Sequence, residues 1–316
     1  MTDSSTKTVL MVAFHFPPVG GIGAAGSQRA LKFVRNLPSE QWRTVVLTLR
    51  ESSYETYFRM DRTLLDSVPS STSIVRTRVL QILAPLLRFK AFLSRKPGNL
   101  PSDAPEAPPE APQVAETELE GGRYQRIKDS VTDLFESPDE AAGWMLPAIF
   151  AGARAVRKHK VDIIIATGRP WTSLVVGAAL RKLTRRPLVV DFRDPWMTNP
   201  FRPPHSAVKD WAEKVLENWV VKSADLVIAN THPLRSEFIE RFGQSLESRC
   251  ITVLNGFDAQ EFSGISPAPR DVFSEGAFLL VHSGFLYGKR DPRNFIDAFA
   301  KLRDEGIIDM DKVRCD

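Results

Sequence analysis

The side chains best suited to chemistry follow an apolar run in the middle of the sequence. The stretch from Pro187 to Trp196 reads Pro-Leu-Val-Val-Asp-Phe-Arg-Asp-Pro-Trp, which places Asp191, Arg193 and Asp194 at the end of a predicted strand. A parallel strand buried on both faces tolerates charges only where it leaves the sheet, and ligands bind at this carboxyl edge in open α/β sheets. A carboxylate there can accept a proton from a substrate hydroxyl group. Asp194, Asp191 and Arg193 are therefore the catalytic candidates.

Each of these side chains also has a structural interpretation. Arg193 could form an ion pair that lowers the pKa of both Asp191 and Asp194. Trp196 could present its ring as a stacking surface for a substrate, or it could fill the hydrophobic core. The sequence alone leaves both alternatives open.

A glycine-rich loop before the first predicted helix is the second candidate site. Its substrate-binding residues would be Gly20, Gly21 and Gly23, because glycines let the backbone approach a phosphate or a sugar at the positive end of a helix. With Gly26, the loop also matches the G-x-G-x-x-G pattern of dinucleotide-binding proteins. That pattern places its first glycine directly after the strand, whereas Phe16–Gly20 intervenes here. Dinucleotide binding therefore ranks behind contact with a phosphate or a sugar, and a purely structural turn is the other alternative.

Polar and basic residues also occur after other predicted strands and in the first helix. The further substrate-binding candidates are Arg29, Thr167, Gly168, Arg169, Asn230 and Asn255, and the candidates for binding a diphosphate are Gly284, Lys289 and Arg290. Each group has an alternative: a salt bridge for Arg29, a helix cap for Thr167–Arg169, a turn at Asn255 and a solvated basic turn for Lys289 and Arg290. No His/Cys cluster has the spacing of metal ligands, so we expect no metal site.

The elements that must position these residues alternate between strand and helix. The predicted strands are 9–14, 44–49, 162–166, 188–191, 226–229, 251–254 and 277–281, and the predicted helices are 27–37, 148–159, 173–183, 208–223, 233–242 and 292–302. This alternation predicts an α/β fold with a parallel, doubly wound sheet. We expect a first Rossmann-like domain over residues 1–263 and the incomplete start of a second over residues 271–316.

Two segments interrupt the alternation. Residues 97–120 contain six prolines and six acidic residues but no basic ones, a composition that predicts disorder. Residues 74–96 mix leucine and phenylalanine with arginine and lysine, as in a basic amphipathic helix that could lie on an anionic membrane. The alternative is a helix packed on its own domain, and Pro85 would kink either one.

The bulk composition is that of an ordinary soluble protein. Of 316 residues, 43% are hydrophobic and 25% charged, and the net charge of +4 suits phosphorylated ligands or an anionic membrane. We expect no nucleic-acid partner. The two cysteines, Cys250 and Cys315, lie far apart, which favours a reducing compartment. With no signal peptide and no bilayer-spanning run, we expect a cytoplasmic protein that could be peripheral on the inner membrane face.

Taken in order, these motifs resemble those of the glycosyltransferase family 4 group, which has the GT-B architecture of two Rossmann-like domains. The matches are Pro-Pro-x-Gly-Gly at 17–21, Pro138-Asp-Glu-x-x-x-Trp144, Ala166-Thr-Gly-x-Pro170, Asp191-Phe-Arg-Asp-Pro-Trp196, Ala224-Asp-Leu-Val-Ile228, Val253-Leu-Asn-Gly-Phe-Asp258 and Ser283-Gly284 with Arg290-Asp-Pro292. The resemblance covers nearly the whole chain apart from residues 50–130. Its specificity comes from the ordered series rather than from any single motif.

The resemblance implies transfer of a sugar from a nucleotide-diphospho-sugar to a glycan or lipid-linked acceptor, in the synthesis of surface polysaccharide or glycoconjugates. Such enzymes usually retain the anomeric configuration and need neither a metal nor a cofactor. In the family, the loop after the strand at 188–191 carries a polar catalytic residue, often histidine. This chain has Arg193 and Asp194 in that region, so the family pattern does not assign the catalytic group.

The second departure from the family concerns the E-x7-E motif that grips the donor. The only glutamates with that spacing are Glu110 and Glu118, within the segment expected to be disordered. We therefore expect a complete acceptor-side domain and a truncated donor-side domain, whose missing residues a second polypeptide could supply. The alternatives are a non-catalytic module that binds an acceptor or a partner at the membrane surface and, more distantly, an NAD(P)-dependent oxidoreductase.

Overall fold

The computed structural model describes residues 6–20, 25–54, 60–80, 137–266, 278–282, 284, 286, 291–309 and 313–315. The chain divides into two compact units. The first comprises residues 1–199 and 204–255, and the second comprises residues 200–203 and 256–316. The first unit thus ends at Asn255, whereas the sequence predicted a first domain extending to residue 263.

The first unit is built on a seven-stranded parallel sheet with the order β3-β2-β1-β4-β5-β6-β7. Its strands are β1 Lys7–Val12, β2 Trp42–Leu49, β3 Ser73–Thr77, β4 Ile163–Gly168, β5 Leu188–Phe192, β6 Leu226–Ala229 and β7 Cys250–Thr252. Its helices are α1 Ala25–Asn36, α2 Met145–Lys158, α3 Thr172–Thr184, α4 Ala207–Ser223 and α5 His232–Phe242. The predicted α/β class and parallel doubly wound sheet are confirmed.

Helices cover both faces of this sheet. On one face, Met11 and Val46 pack with Leu31 and Val34 of α1. On the other face, alternate residues of the same strands belong to the larger core that includes α2 and α3, namely Leu10, Val12, Val45 and Leu47. Successive residues of β1 and β2 thus enter different cores, which explains why these strands read as continuous apolar runs.

Side-chain hydroxyl groups cap the start of two helices, and a glycine ends one of them. The hydroxyl group of Ser206 accepts a hydrogen bond from the Lys209 backbone N–H at the start of α4, and Thr231 does the same for Leu234 in α5. Gly243 ends α5 with a φ of 95°, a conformation that favours glycine. The cap at Thr231 fixes the short connection between β6 and α5 that contains Asn230.

The first residues of the predicted amphipathic helix at 74–96 form a strand instead. Ser73–Thr77 is β3, which pairs with β2 so that Val75 lies opposite Leu47. The β-branched residues Ile74 and Val75 favour this pairing over a helix. Residues 78–80 form neither helix nor strand, and residues 81–96 of that prediction lie outside the described residues, as does the predicted disordered segment at 97–120.

The second unit contains two parallel strands, β8 Phe278–Leu280 and β9 Val313–Cys315, and the helix α6 Arg293–Asp304 lies between them in sequence. Within the described residues this is one β-α-β unit. Among the helices of the described residues, none combines the length and the apolar composition needed to cross a bilayer.

Candidate functional site

The strand register brings the candidate residues of the first unit to one edge of the sheet. Val12 lies opposite Ala166, Thr167 opposite Asp191, and Phe192 opposite Ala229. Because all seven strands are parallel, the residues that follow them emerge at the same carboxyl edge. The residues along this rim are His15, Arg193, Asp194, Asn230 and Asn255, with Thr167 and Asp191 just inside it.

Asp191 lies at the centre of a buried hydrogen-bond network. Its carboxylate accepts hydrogen bonds from Nε and Nη2 of Arg29 at 3.0 and 2.7 Å, and from the hydroxyl group of Thr167 at 2.7 Å. The Asp191 side chain is 0% exposed. The structure therefore gives Asp191 a structural role in place of the predicted contact with substrate, since its oxygen atoms are already bonded and shielded from solvent.

Arg29 connects three elements of the first unit. Besides Asp191, its guanidinium group donates to the backbone oxygen atoms of Val253 and Leu254, at 2.9 and 3.3 Å, and to Oδ1 of Asn255 at 3.0 Å. These contacts use all five N–H groups of the guanidinium. The predicted role of Arg29 in holding a ligand is therefore replaced by a structural one, and the side-chain oxygen of Asn255 is likewise engaged.

Arg193 lies over the first turn of α1. Its Nε donates to the backbone oxygen of Gly168 at 2.8 Å, and Nη2 donates to the backbone oxygen of Arg169. A Cβ at Gly26 would lie 1.9 Å from Nη1 of Arg193, so a side chain at Gly26 would displace the guanidinium. Burial lowers the pKa of Arg193, although the nearby carboxylates of Asp191 and Asp194 oppose this effect.

Asp194 is the half-buried carboxyl group of the same loop. Burial raises its pKa, against the opposing effect of the cations Arg169 and Arg193. Arg193 does lower this pKa, as the ion-pair alternative predicted, but loss of hydration outweighs its effect. Within the part of the chain that the structure describes, no hydrogen bond engages the Asp194 carboxyl group, which leaves it available to a hydroxyl group of a ligand.

Trp196 belongs to the core. Its side chain is 1% exposed and stacks on Trp171 with ring centroids 5.2 Å apart, while its Nε1 donates to Glu213 at 3.3 Å. The proposed stacking surface for a sugar does not hold, because the ring is inaccessible to a ligand, and the core interpretation applies instead. The indole N–H can be buried here since it finds a carboxylate partner.

The end of β4 contributes one exposed side chain, that of Arg169. Thr167 is buried in the Asp191 network, and a Cβ at Gly168 would lie 2.9 Å from Leu174. The guanidinium of Arg169 lies over the ring of Trp171, 5.9 Å from its centroid. Thr167 and Gly168 therefore support the rim from below, and Arg169 can reach a ligand.

Of the remaining candidate residues, some have structural contacts and others lie outside the described residues. Gly20 is buried, and a Cβ there would lie 2.4 Å from the Cβ of Asp61, so this glycine serves close packing rather than ligand contact. Asn230 donates its side-chain amide to the backbone oxygen of Arg193 and so holds the loop. Gly284 lies in the second unit. The glycines 21 and 23 and the basic residues 289 and 290 lie outside the described residues and stay predictions.

Sequence reasoning missed His15, which lies three residues after the end of β1 at the carboxyl edge. Burial and the nearby Arg193 cation lower the pKa of His15 to about 4, so its imidazole is uncharged at neutral pH. Its ring stacks on Tyr54 with centroids 6.3 Å apart. The signal was available in the sequence, because a polar residue directly after a buried apolar run marks a strand end as clearly here as at Asp191.

A second missed residue is Asp139, which supports the rim through α3. Its carboxylate accepts hydrogen bonds from the hydroxyl group and the backbone N–H of Thr172, at 2.6 and 3.1 Å, and from the backbone N–H of Ala141 at 3.1 Å. Burial raises the pKa of Asp139 to about 6, although these hydrogen bonds lower it. Within the described ranges, no group of three His, Cys, Asp or Glu side chains could hold a metal ion.

The fold and the rim together define a Rossmann-like α/β domain that gathers an available carboxyl group, two arginines and a neutral histidine at the carboxyl edge of its sheet. A family model described as the glycosyl transferase 4-like domain matches residues 24–256. The chain belongs to this glycosyltransferase family, as the resemblance of its motifs predicted.

The solved structures that match the chain are distant in sequence. HepE from Anabaena, solved in complex with UDP, is 14% identical with a TM-score of 0.45, and the match covers 98% of this chain and 68% of HepE. A UDP-N-acetylglucosamine 2-epimerase is 12% identical with a TM-score of 0.44, covering 98% and 63%. MurG from Acinetobacter baumannii is 11% identical with a TM-score of 0.40, covering 98% and 65%. This chain thus spans about two thirds of their length, and no curated protein matches it significantly.

Proposed function

We propose that the chain takes part in transferring a sugar from a nucleotide-diphospho-sugar to a hydroxyl group of a glycan or lipid-linked acceptor. The rim of the first unit is the acceptor side. The observation that carries this proposal is Asp194, a half-buried carboxyl group that no described residue engages by a hydrogen bond, next to Arg193 and Arg169. Membership of the glycosyltransferase family supports the reaction type.

Asp194, Arg193 and Arg169 have distinct roles in the proposed reaction. The acceptor oxygen forms a bond to the anomeric carbon of the sugar, the bond from that carbon to the diphosphate breaks, and the nucleoside diphosphate leaves with the bonding electrons. The Asp194 carboxylate accepts the proton of the acceptor hydroxyl group, and its raised pKa makes it a stronger base. Arg193 and Arg169 supply positive charge that can stabilise the negative charge developing on the leaving nucleoside diphosphate.

His15 complements this arrangement without adding charge. Because its pKa is lowered to about 4, the imidazole stays neutral at the pH at which Asp194 acts as a base. A neutral imidazole can orient a sugar hydroxyl group by a hydrogen bond, whereas an imidazolium would oppose the cation of Arg193. Asp191 and Arg29 are positioning residues, because their ion pair fixes the end of β5 from which the loop with Asp194 continues.

The donor side of the proposal involves the second unit, which is one β-α-β unit within the described residues. We place the donor phosphates near Gly284, Lys289 and Arg290, with a second polypeptide contributing further donor contacts. The pathway we propose is synthesis of surface polysaccharide or glycoconjugates at the inner membrane face. No resident cofactor or metal takes part in this proposal.

The test is a panel of labelled nucleotide-sugars incubated with the purified chain, with and without a lipid extract as acceptor source, and in each case without and with an extract of the source cells that supplies the second polypeptide. We expect transfer of label to a lipid or glycan from at least one donor. Absence of both transfer and donor hydrolysis across the panel would contradict catalysis by this chain alone. Binding of an acceptor lipid without turnover would identify a non-catalytic binding module instead.

A further inference from the structure

The outer face of α2 carries exposed apolar side chains in line with basic ones. Leu146 and Phe150 are 51% and 75% exposed, and Arg154 follows Phe150 at the same four-residue spacing. Residues four apart lie on the same side of a helix, so these three side chains form one stripe. Arg157 and Lys158 extend the stripe to the end of the helix, and both are exposed.

The region around this stripe is strongly basic. Residues 145–186 contain nine lysine and arginine residues and a single acidic residue, Asp162, whose carboxylate accepts a hydrogen bond from the backbone N–H of Thr8. Within this region Arg181 is paired with Asp225. The exposed residues at the end of α3 and just after it are Lys182, Leu183, Arg185 and Arg186. Because β4 and β5 are neighbours and α2 packs on α3, the C-terminal ends of the two helices lie close together.

The helix dipole explains only part of this pattern. Cations in the last turn of a helix interact favourably with its C-terminal carbonyl groups, which is enough to account for Arg157 and Lys158. It accounts neither for Arg154, which lies a turn earlier, nor for two large apolar side chains exposed at the opposite end of α2. Exposed apolar groups beside an excess of positive charge match an amphipathic surface that lies in a membrane interface.

We propose that this surface, which we call the α2–α3 face (Leu146, Phe150, Arg154, Arg157, Leu183 and Arg186), docks on an anionic lipid bilayer. Leu146 and Phe150 would enter the headgroup region, and the basic side chains would lie against lipid phosphates. The face belongs to described residues and differs from the segment at 74–96, for which the sequence allowed either a membrane-bound helix or a helix packed on its own domain.

The orientation of α2 relates this face to the candidate site. The indole N–H of Trp144, just before α2, donates to the hydroxyl group of Thr77 at the end of β3, at 2.6 Å. The N-terminal end of α2, with Leu146 and Phe150, therefore lies at the carboxyl edge of the sheet, as does Asp194. Docking brings that edge beside the bilayer, which makes the acceptor a membrane lipid; this last step rests on the proposed function, whereas the docking does not.

The experiment is co-sedimentation of the full chain with vesicles of phosphatidylcholine alone or with about a third phosphatidylglycerol. We expect binding only to the anionic vesicles, weakened by added salt because the charges are exposed. The double variant R154E/R157E should lower the partition coefficient by about tenfold or more. The matched control is R43E/R50E, which makes the same change in net charge at exposed positions outside the face.

The apolar part of the face has its own variant and control. F150S should weaken binding to anionic vesicles, whereas F257S should not, although Phe257 is 81% exposed. Circular dichroism of each variant checks that it folds. Absence of binding to anionic vesicles, or equal losses in the variants and their controls, would overturn the proposal.

Two further results would also overturn it. If deletion of residues 81–96 abolishes vesicle binding while R154E/R157E retains it, that segment rather than the α2–α3 face binds the membrane. If the face instead mediates self-association, F150S would change the mass measured by light scattering and leave vesicle binding intact. Because vesicle binding needs no turnover, it can succeed or fail independently of the glycosyltransferase assay.

Discussion

The guanidinium group of Arg29 on α1 holds the carboxylate of Asp191 at the end of β5, with Nη2–Oδ1 and Nε–Oδ2 distances of 2.7 and 3.0 Å. Both side chains are almost entirely removed from solvent. The pair joins the first helix to the strand that precedes the Arg193–Asp194 loop. The pair therefore helps to fix the position of that loop at the rim.

Loss of this pair should destabilise the first unit. We expect R29A to lower the free energy of unfolding by about 3–5 kcal/mol, because it leaves the buried Asp191 carboxylate without its cation. The control is R62A, which removes an exposed pair with Glu51 and should cost no more than about 1 kcal/mol. Urea unfolding followed by circular dichroism gives both values, and equal small losses would contradict the assigned role.

Gly26 should be needed for the position of Arg193 rather than for stability. In an ordinary helix, replacing glycine by alanine stabilises by about 1 kcal/mol, but here the new methyl group would overlap the Arg193 guanidinium. We expect G26A to reduce sugar transfer while the protein stays folded. G256A is the matched control, since a Cβ there meets nothing within 4 Å. Unchanged transfer by G26A would show that Arg193 is not required where the structure places it.

Trp196 should behave as a core residue. W196F removes the N–H that bonds to the buried Glu213 and reduces the stack on Trp171, so we expect a loss of about 1–3 kcal/mol in the free energy of unfolding. W211F changes an exposed tryptophan in the same way and should have no measurable effect. A raised KM for the acceptor in W196F, with unchanged stability, would support the sugar-stacking role instead.

Asp139 should give the stability a distinct pH dependence. Its pKa in the folded state is raised by burial from 3.8 to about 6, so the folded state binds this proton more tightly than the unfolded state does. The stabilisation is present below about pH 4 and is lost as the pH rises through about 6. The free energy of unfolding of the wild type, minus that of D139N, should therefore fall across this interval. A difference that is constant or rises there would show that Asp139 is ionised throughout.

The sequence predicted the fold that carries the candidate site better than it predicted the roles of the residues in that site. Alternating strands and helices predicted the parallel sheet, and the register of that sheet then places the strand-end candidates at one edge. The pairing of Arg29 with Asp191 was not predictable from spacing, because the two residues are separated by 162 positions and meet only through the tertiary fold. Strand ends are local properties of the sequence, whereas side-chain partners are not.

Two interpretations from the sequence, one for Trp196 and one for residues 74–77, differ from the structure for a similar reason. Trp196 follows charged residues in the sequence and was considered for ligand contact, but its burial depends on the ring of Trp171 and on the carboxylate of Glu213 in α4. Residues 74–77 were assigned to a basic helix by composition, whereas pairing with β2 makes them a strand. In both cases a contact distant in the sequence decides between conformations that the local pattern allows.

The most direct test of the proposed site is the rate of sugar transfer by D194N compared with that of the wild type and of D66N. Asp66 is exposed and lies outside the rim, so D66N controls for the loss of one carboxyl group. If Asp194 is the base at the acceptor side, D194N should lower kcat by about 10²–10⁴-fold, while D66N keeps the wild-type rate. Wild-type turnover in D194N would contradict the central role assigned to this carboxyl group.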